Sequence, residues 1–333
     1  MFGFSRNAAA RQTASQTVSP KAAQLGGNDG WYKREEAIMG TAISVELWSD
    51  NRVEAEAAME AVMQEMHRIN RLMSPHKPES ELSQINSGAA AAPVAVCTEM
   101  FNLLMRAQYF SELSGGAFDI TFAAVGRLFD YRQGIKPTAE QLQQARLAVG
   151  YQFMELDARA QTVRFVKPNM CIDLGGFAKG HAVDNAARIL RELGIKHANV
   201  SAGGDSRVIG DKRGRPWMIG VRDPRADDGI IAVLPLENTS ISTSGDYERF
   251  FMAEGTRFHH LINPFTGQSP DSVRSVTVLA EDGLTTEAFS KIVFVLGIDQ
   301  GLRLVDAHPE VDAIVVDKAG QLHYSSGLLQ PNV

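Results

Sequence analysis

The stretch Asp173 to Asp184, DLGGFAKGHAVD, decides how the middle of the chain folds. The apolar run Met170-Cys171-Ile172 before it reads as a strand that ends at Asp173. Two glycines then turn the chain, and a helix is expected to start near Ala178. Paired glycines let backbone come close to a ligand, because no Cβ blocks the approach. Backbone N–H groups at such a turn and helix start form a natural anion site, and Lys179 adds a mobile cation beside them. Asp173 cannot serve a phosphate directly, so it orients the loop or holds a polar ligand group. On these residues alone two readings stand: a cradle for a phosphate-bearing small molecule, or a strand–helix corner that needs glycine only for packing.

The whole chain has 333 residues, enough for one large domain or two smaller ones. Hydrophobic residues at 44% and charged residues at 22% are ordinary for a soluble globular protein. A formal charge of −6 gives no electrostatic case for nucleic acid. No apolar run reaches the roughly 18 residues that span a bilayer. The two cysteines, Cys97 and Cys171, match no metal-ligand spacing and read as ordinary buried thiols. Residues 1–30 are rich in Ala, Ser, Thr, Gln and Gly and are expected to be disordered. They lack the apolar core of a secretory signal and a lipobox cysteine. The expected compartment is therefore the cytoplasm for the chain as written, or the periplasm if an export signal has been removed.

Taken in order, residues 31–49 alternate as strand around a Met39-Gly40-Thr41 turn, and 51–73 form a helix. The helix has an apolar face of Met59, Met63, Met66 and Met73 with their neighbours, which reads as core filling. Two prolines fix a loop over Ser74 to Leu82. A helix over 98–114 is expected to be capped by Thr98, and another runs from Thr138 to about Val149. A hairpin over 153–156 and 162–166 leads into the opening stretch. After the 178–193 helix come a strand–turn–strand over 197–209 and strands at 216–221 and 230–236. Ser240 to Asp246 reads as a polar loop, and His259 to Gly267 as a strand ending in a turn. A strand at 273–280, helices at 285–296 and 300–307, and a strand pair at 311–316 and 321–324 complete the chain. Helices and strands mix without regular βαβ alternation, which favours an α+β fold.

Three glycine-turn loops carry acids or hydroxyls: Asp173 to Gly180, Ser201 to Asp205, and Ser242 to Asp246. Together they suggest polar backbone converging on one ligand. The dinucleotide fingerprint G-x-G-x-x-G and the Walker A pattern are both absent. His259 and His260 are adjacent on an expected strand, so at most one faces a given site. Glu287 and Lys291 lie one helical turn apart, and their default reading is an ion pair on a solvated face.

In sequence order, the chain carries MGT at Met39 to Thr41, a segment at Ser74 to Leu82, Ala117-Phe118-Asp119, and DLGGFAKG. SAGGD at Ser201 to Asp205, STSGDYERF at Ser242 to Phe250 and HLINPFTG at His260 to Gly267 follow. By these motifs it resembles the ApbE family of FAD:protein FMN transferases across roughly residues 36 to 325. The resemblance implies a bilobed, T-fold-related α+β domain of mixed and antiparallel sheets with packed helices, expected over 31–328 with 329–333 as a tail. It implies Mg²⁺-dependent transfer of FMN from FAD to a threonine hydroxyl of a partner flavoprotein, with release of AMP. Carried over residue by residue, Met39, Glu81, Phe118, Asp119, Lys179, Gly204, Asp205, Ser244, Gly245 and Asp246 line the FAD cleft. Ala178 offers its carbonyl to the metal, and His260 stands beside the reacting phosphate as an acid/base or a stabiliser of charge.

Two positions depart from the family's pattern. His76 stands where an aromatic residue stacks on the isoalloxazine; histidine can still stack, with a smaller face. Where the family's metal motif has an acid and a final threonine, this chain reads Glu287-Ala288-Phe289-Ser290-Lys291. Glutamate keeps hard oxygen ligands, but a protonated lysine cannot ligate Mg²⁺ and can reach Glu287 as an internal cation. The expected catalytic set is therefore His260, Lys291 and Asp246, with Ala178 and Glu287 as metal ligands if Mg²⁺ binds. One alternative to FMN transfer follows from the departure, a non-catalytic FAD-binding relative acting as carrier or interaction module; a second, an FAD pyrophosphatase, needs the same metal and gains nothing from the substitution.

Overall fold

The structure is a computed structural model that describes residues 30–226 and 229–329. The expected disorder of the N-terminal segment and most of the expected tail fall on residues outside that range. The strands are β1 Trp31–Ile38, β2 Thr41–Trp48, β3 Val94–Ala95, β4 Met154–Asp157, β5 Thr162–Phe165, β6 Ala198–Ala202, β7 Asp205–Ile209 and β8 Trp217–Arg222. They continue as β9 Ile230–Leu236, β10 Ser240–Gly245, β11 Phe250–Ala253, β12 Thr256–His259, β13 Val273–Ala280, β14 Asp312–Asp317 and β15 Leu322–Tyr324. The helices are α1 Arg52–Met73, α2 Glu81–Gly88, α3 Thr98–Leu113, α4 Ala123–Gly126, α5 Ala139–Arg146, α6 Ala178–Glu192, α7 Gly283–Leu296, α8 Ile298–Asp306 and α9 Ser326–Leu329.

The main sheet has eight strands in the order β1-β2-β6-β7-β10-β13-β14-β15, and every neighbouring pair is antiparallel. It opens on the β1–β2 hairpin, whose turn residues Met39 and Gly40 have φ of 55° and 71°. Positive φ at both central positions matches the twist of a two-residue hairpin. Helices α1, α6, α7 and α8 cover one face of this sheet. The Asn51 side chain accepts the Val53 and Glu54 N–H groups to start α1, whose apolar stripe from Ala55 to Met73 is buried. The methionines there fill core, as the spacing predicts. On the other face, Val208, Ile241 and Leu279 pack under Trp217 and Leu236 of the β8–β9 hairpin.

Two helix starts meet at the centre of the molecule. The carbonyl of Gly283, first residue of α7, lies where a Cβ on Gly180 of α6 would stand, and the Gly180 carbonyl lies 2.7 Å from a Cβ built on Gly283. No side chain fits between them. Asp184, which closes the opening stretch, accepts the Gly283 and Leu284 N–H groups at 2.8 and 3.1 Å. These are orphan donors of the α7 start, so α6 caps α7.

Several sequence expectations need correction. Ser240–Gly245 is a central strand, not a loop: Ser240, Ser242 and Ser244 alternate toward the helices while Ile241 joins the opposite apolar cluster. The run Met170–Ile172 is in no sheet; the Asn86 side chain brackets Ile172 instead, at 2.8 and 2.9 Å. The strand expected at His259 to Gly267 ends at His259, and the remainder is loop. Cys97, not Thr98, is the N-cap of α3, its thiol accepting the Met100 N–H. The sequence does not signal helix α2, because its polar ELSQINSG carries only Leu82 and Ile85 toward the core.

The glycine contact yields a direct test. Gly180→Ala places a methyl on the Gly283 carbonyl and is expected to cost about 3 kcal/mol, in the range of core overpacking, as read from urea unfolding.

Candidate active site

The three glycine-bearing segments do converge, the third of them as strand β10. The Gly203 N–H donates to the Ala42 carbonyl at 3.0 Å, tying the SAGGD turn to the strand after Met39-Gly40. The Thr243 N–H donates to the Gly204 carbonyl at 3.0 Å, which brings in the SISTSG strand. The DLGG turn hangs on the Asp173 N–H, which donates to the Ile120 carbonyl at 3.0 Å.

At the junction lies a buried ion cluster. Lys179 Nζ is 2.6 Å from Glu287 Oε1 and also bonds Asp205. Glu287 is fully buried, and its Oε2 accepts the Gly180 N–H at 2.7 Å. Lys291 Nζ approaches Glu287 Oε1 at 3.4 Å. The other oxygen of Asp205 accepts the Ser242 hydroxyl. Ser290 links this layer to Ser244 at 2.8 Å and donates to the Glu287 carbonyl at 2.9 Å. Burial pulls the Lys179 pKa down, but the Asp205 and Glu287 carboxylates more than reverse this and leave it above the usual lysine range. Lys291 ends below the usual range: burial dominates, Glu287 opposes it, and the charge on Lys179 reinforces it. Asp205 is held low because the two lysines outweigh its burial.

Of the adjacent histidines, His259 is scaffold: it is buried, and its Nε2 bonds the Pro270 carbonyl at 2.8 Å. His260 is the one that faces the cations. Burial, then His259, Lys291, Arg249 and Lys179, push its pKa down to about 3, and its Nδ1 is buried without a hydrogen-bond partner among the described residues. Arg249 was not singled out from sequence. Its guanidinium lies 3.5 Å from where a Cβ on Gly40 would stand, and its charge acts on both His260 and Asp173. Asp173 is raised by burial, which Gly175 N–H, His76 and Arg249 only partly offset; His76 itself is exposed at the rim. Asp246 lies 3.6 Å from Arg257 and 3.7 Å from Arg274, and burial still raises it.

Other carried-over residues have scaffold contacts. Glu81 accepts the Cys97 N–H at 2.7 Å and the Cys97 thiol at 3.1 Å. Phe118 is buried against Phe110 and Phe177. Asp119 accepts from Thr121 and from the Tyr151 N–H at 2.8 Å. The Gly245 face is covered by the Tyr247 ring. The backbone anion cradle read from DLGGFAKG is also largely spent: Gly175 N–H goes to Asp173, Phe177 and Ala178 N–H to Leu174, and Gly180 N–H to Glu287. What this loop brings to an anion is the Lys179 cation. A separate cavity of about 470 Å³ on the far side of α6, lined by Arg68, Glu99, His181 and Arg188, lies apart from the motifs.

The donor set does not fit Mg²⁺. A hard dication takes near-octahedral oxygen ligands, whereas both oxygens of Glu287 and both of Asp205 are already engaged, chiefly by ammonium groups. Among the described residues no group of three His, Cys, Asp or Glu side chains gathers to hold a metal.

The sequence profile of the ApbE family matches residues 39–315, which include every element of this cluster. The chain belongs to the ApbE family. A relative from Treponema pallidum named FAD:protein FMN transferase is 31% identical over 90% of this chain and 88% of its own length. One from Klebsiella pneumoniae with the same name is 31% identical over 89% and 92%. The ApbE protein of Thermotoga maritima superposes with a TM-score of 0.84 at 33% identity, over 90% of this chain and 98% of its own. The flavin transferase ApbE of Vibrio cholerae does so at 0.79 and 25%, over 90% and 99%. The α+β architecture with antiparallel sheets is that of these ApbE structures.

Glu287 carries the cluster, so its loss is the severe one. Glu287→Gln is expected to cost about 3–5 kcal/mol, the range for a broken buried ion pair. Lys291→Met leaves Glu287 paired with Lys179 and Gly180 N–H, and should cost less than about 1.5 kcal/mol, as for a well-packed apolar replacement. Urea unfolding of the two variants tests the order.

Proposed function

We infer that this ApbE chain moves FMN from FAD to a hydroxyl of an acceptor flavoprotein and releases AMP. The observation that carries the reading is that His260, whose backbone N–H donates to the Arg249 carbonyl at 3.0 Å, stands beside the lysines held by Glu287 and Asp205. The names of the relatives, FAD:protein FMN transferase, support it at about the same identity across several organisms.

The chemistry follows from what these groups can do. The acceptor hydroxyl, a threonine by family resemblance, attacks the phosphorus on the FMN side of the FAD diphosphate. A new P–O bond forms to the acceptor, and the bond to the bridging oxygen breaks with its electron pair leaving on AMP. The hydroxyl proton goes to the His260 imidazole. In the free protein burial, reinforced by His259 and the surrounding cations, keeps that imidazole neutral; a bound diphosphate supplies negative charge beside it and raises its basicity. Phosphoryl transfer depends on positioning and charge stabilisation, which the lysines provide. Their own positions are fixed by Glu287 and Asp205.

The test is incubation with FAD and a threonine-bearing acceptor peptide, reading covalent flavin and AMP. Free FMN in place of covalent flavin would move the assignment to FAD hydrolysis, and absence of AMP would leave a flavin-binding relative. His260→Ala should slow AMP release by about 10²–10⁴-fold, the usual worth of a positioned base, with FAD affinity nearly unchanged. The pH dependence has a definite sign. A pKa lowered from 6.5 to about 3 keeps the proton-accepting form populated down to acid pH. The kcat/KM profile, which reports the free enzyme, should therefore show no falling limb near neutrality that His260→Ala removes.

A further inference from the structure

We propose that the Lys291 ammonium occupies the place of a divalent cation in this cleft, so that the chain binds the FAD diphosphate and transfers FMN without a bound metal ion. The proposal rests on the transferase reading above for its catalytic half, and on the ion cluster alone for its binding half.

Four observations carry it. First, the carboxylate that would anchor a cation is full: Glu287 Oε2 accepts the Gly180 N–H at 2.7 Å, and Oε1 faces Lys179 at 2.6 Å and Lys291 at 3.4 Å. Second, the neighbouring acid, Asp205, is spent on Lys179 and Ser242. Third, the fold makes room for Lys291. Its stem lies along Gly176, where a Cβ would stand 3.2 Å from Lys291 Cε, so the second glycine of DLGG serves as the floor under this side chain. Fourth, the long contact to Glu287 is the one hydrogen bond of Lys291 among the described residues, while an ammonium carries three donors. The remaining donors are available to phosphate oxygens.

The charge balance points the same way. Two buried carboxylates stand against two lysines, so the cluster is neutral before ligand arrives. A dication entering it would add two charges beside two ammonium groups that its own ligands hold in place. A diphosphate entering it instead meets Lys291 with free donors and Arg249 nearby. During transfer, negative charge accumulates on the AMP phosphate as the bridging P–O bond breaks. Lys291 is placed to stabilise that charge, the task a metal performs in phosphoryl transfer.

The test uses the full chain and two probes, FAD and Mn²⁺. FAD binding is followed by quenching of flavin fluorescence in EDTA and in excess Mg²⁺, and Mn²⁺ binding by loss of the free-ion spin-resonance signal. For the wild type, the FAD dissociation constant should change by less than about twofold between the two buffers, a fraction of the tenfold step that corresponds to 1.4 kcal/mol. Mn²⁺ should not bind at stoichiometric concentration. Lys291→Thr should lose about tenfold or more in FAD affinity in EDTA, the scale of a charge-assisted contact. Lys291→Arg, which keeps the charge, should stay indifferent to EDTA. The wild-type comparison needs no variant, so a misfolded mutant leaves it decisive. Stoichiometric Mn²⁺ binding by the wild type, or FAD binding that EDTA abolishes, overturns the proposal. AMP release from FAD and acceptor separates the two levels. If AMP appears only with Mg²⁺, the cation assignment fails and the transferase reading stands. If no AMP appears in either buffer while FAD binding ignores EDTA, the transferase reading fails and Lys291 as the resident cation stands.

Discussion

The approach of Gly180 to Gly283 sets the rest of the site. Backbone touches backbone there, so the separation of α6 and α7 is fixed by atoms that no rotamer change can move. Once the helices cross at that distance, the Glu287 carboxylate, one turn into α7, falls on the Gly180 N–H and the Lys179 ammonium. The Asp184 carboxylate closes the same junction from the other side by taking two N–H groups of α7. Burying charge in such a place is costly unless each oxygen and ammonium has a partner, and here each carboxylate oxygen of Glu287 and Asp205 has one.

Much of this was legible in the sequence because periodicity and turn chemistry report local structure well. The α1 stripe, the Met39-Gly40 turn and the α6 start all follow from spacing and glycine placement. The misreadings share a cause. SISTSG looks like loop because its hydroxyls are polar, yet those hydroxyls are satisfied inside the protein by Asp205 and Ser290, partners far away in sequence. Met170-Cys171-Ile172 looks like strand because it is apolar, but the N–H and carbonyl of Ile172 bond a side chain, Asn86. Residue type announces burial; it does not announce which partner supplies the hydrogen bonds.

The site shows the same division. Lys179, Asp205, Glu287, Lys291 and His260 were nameable from motifs, and the fold brings them together. Glu287 and Lys291 are not the solvated helix face that i,i+4 spacing suggests by default, since Glu287 has no exposed surface. Arg249 lies inside the STSGDYERF motif, but its place at the site is set by a turn, Met39-Gly40, two hundred residues away in the chain. In contrast, Glu81 and Asp119 attract attention as acids but do the work of caps, holding the Cys97 N–H and the turn at Thr121. A carboxylate facing a helix start is stabilised by the same dipole that would favour a ligand anion, so motif membership alone cannot separate the two uses.

The serines of β10 have one more effect, on strand pairing. Ser242 faces the ion cluster while Ile241 faces Val208 and Leu279. A slip of one residue against β7 and β13 reverses every side chain of the strand. It would drive Ile241 into the buried charges and leave Ser242 unsatisfied in the apolar layer. The alignment of six residues in the middle of the sheet is thus specified from both faces at once, and the polar layer that serves the cleft also acts as an error check on folding.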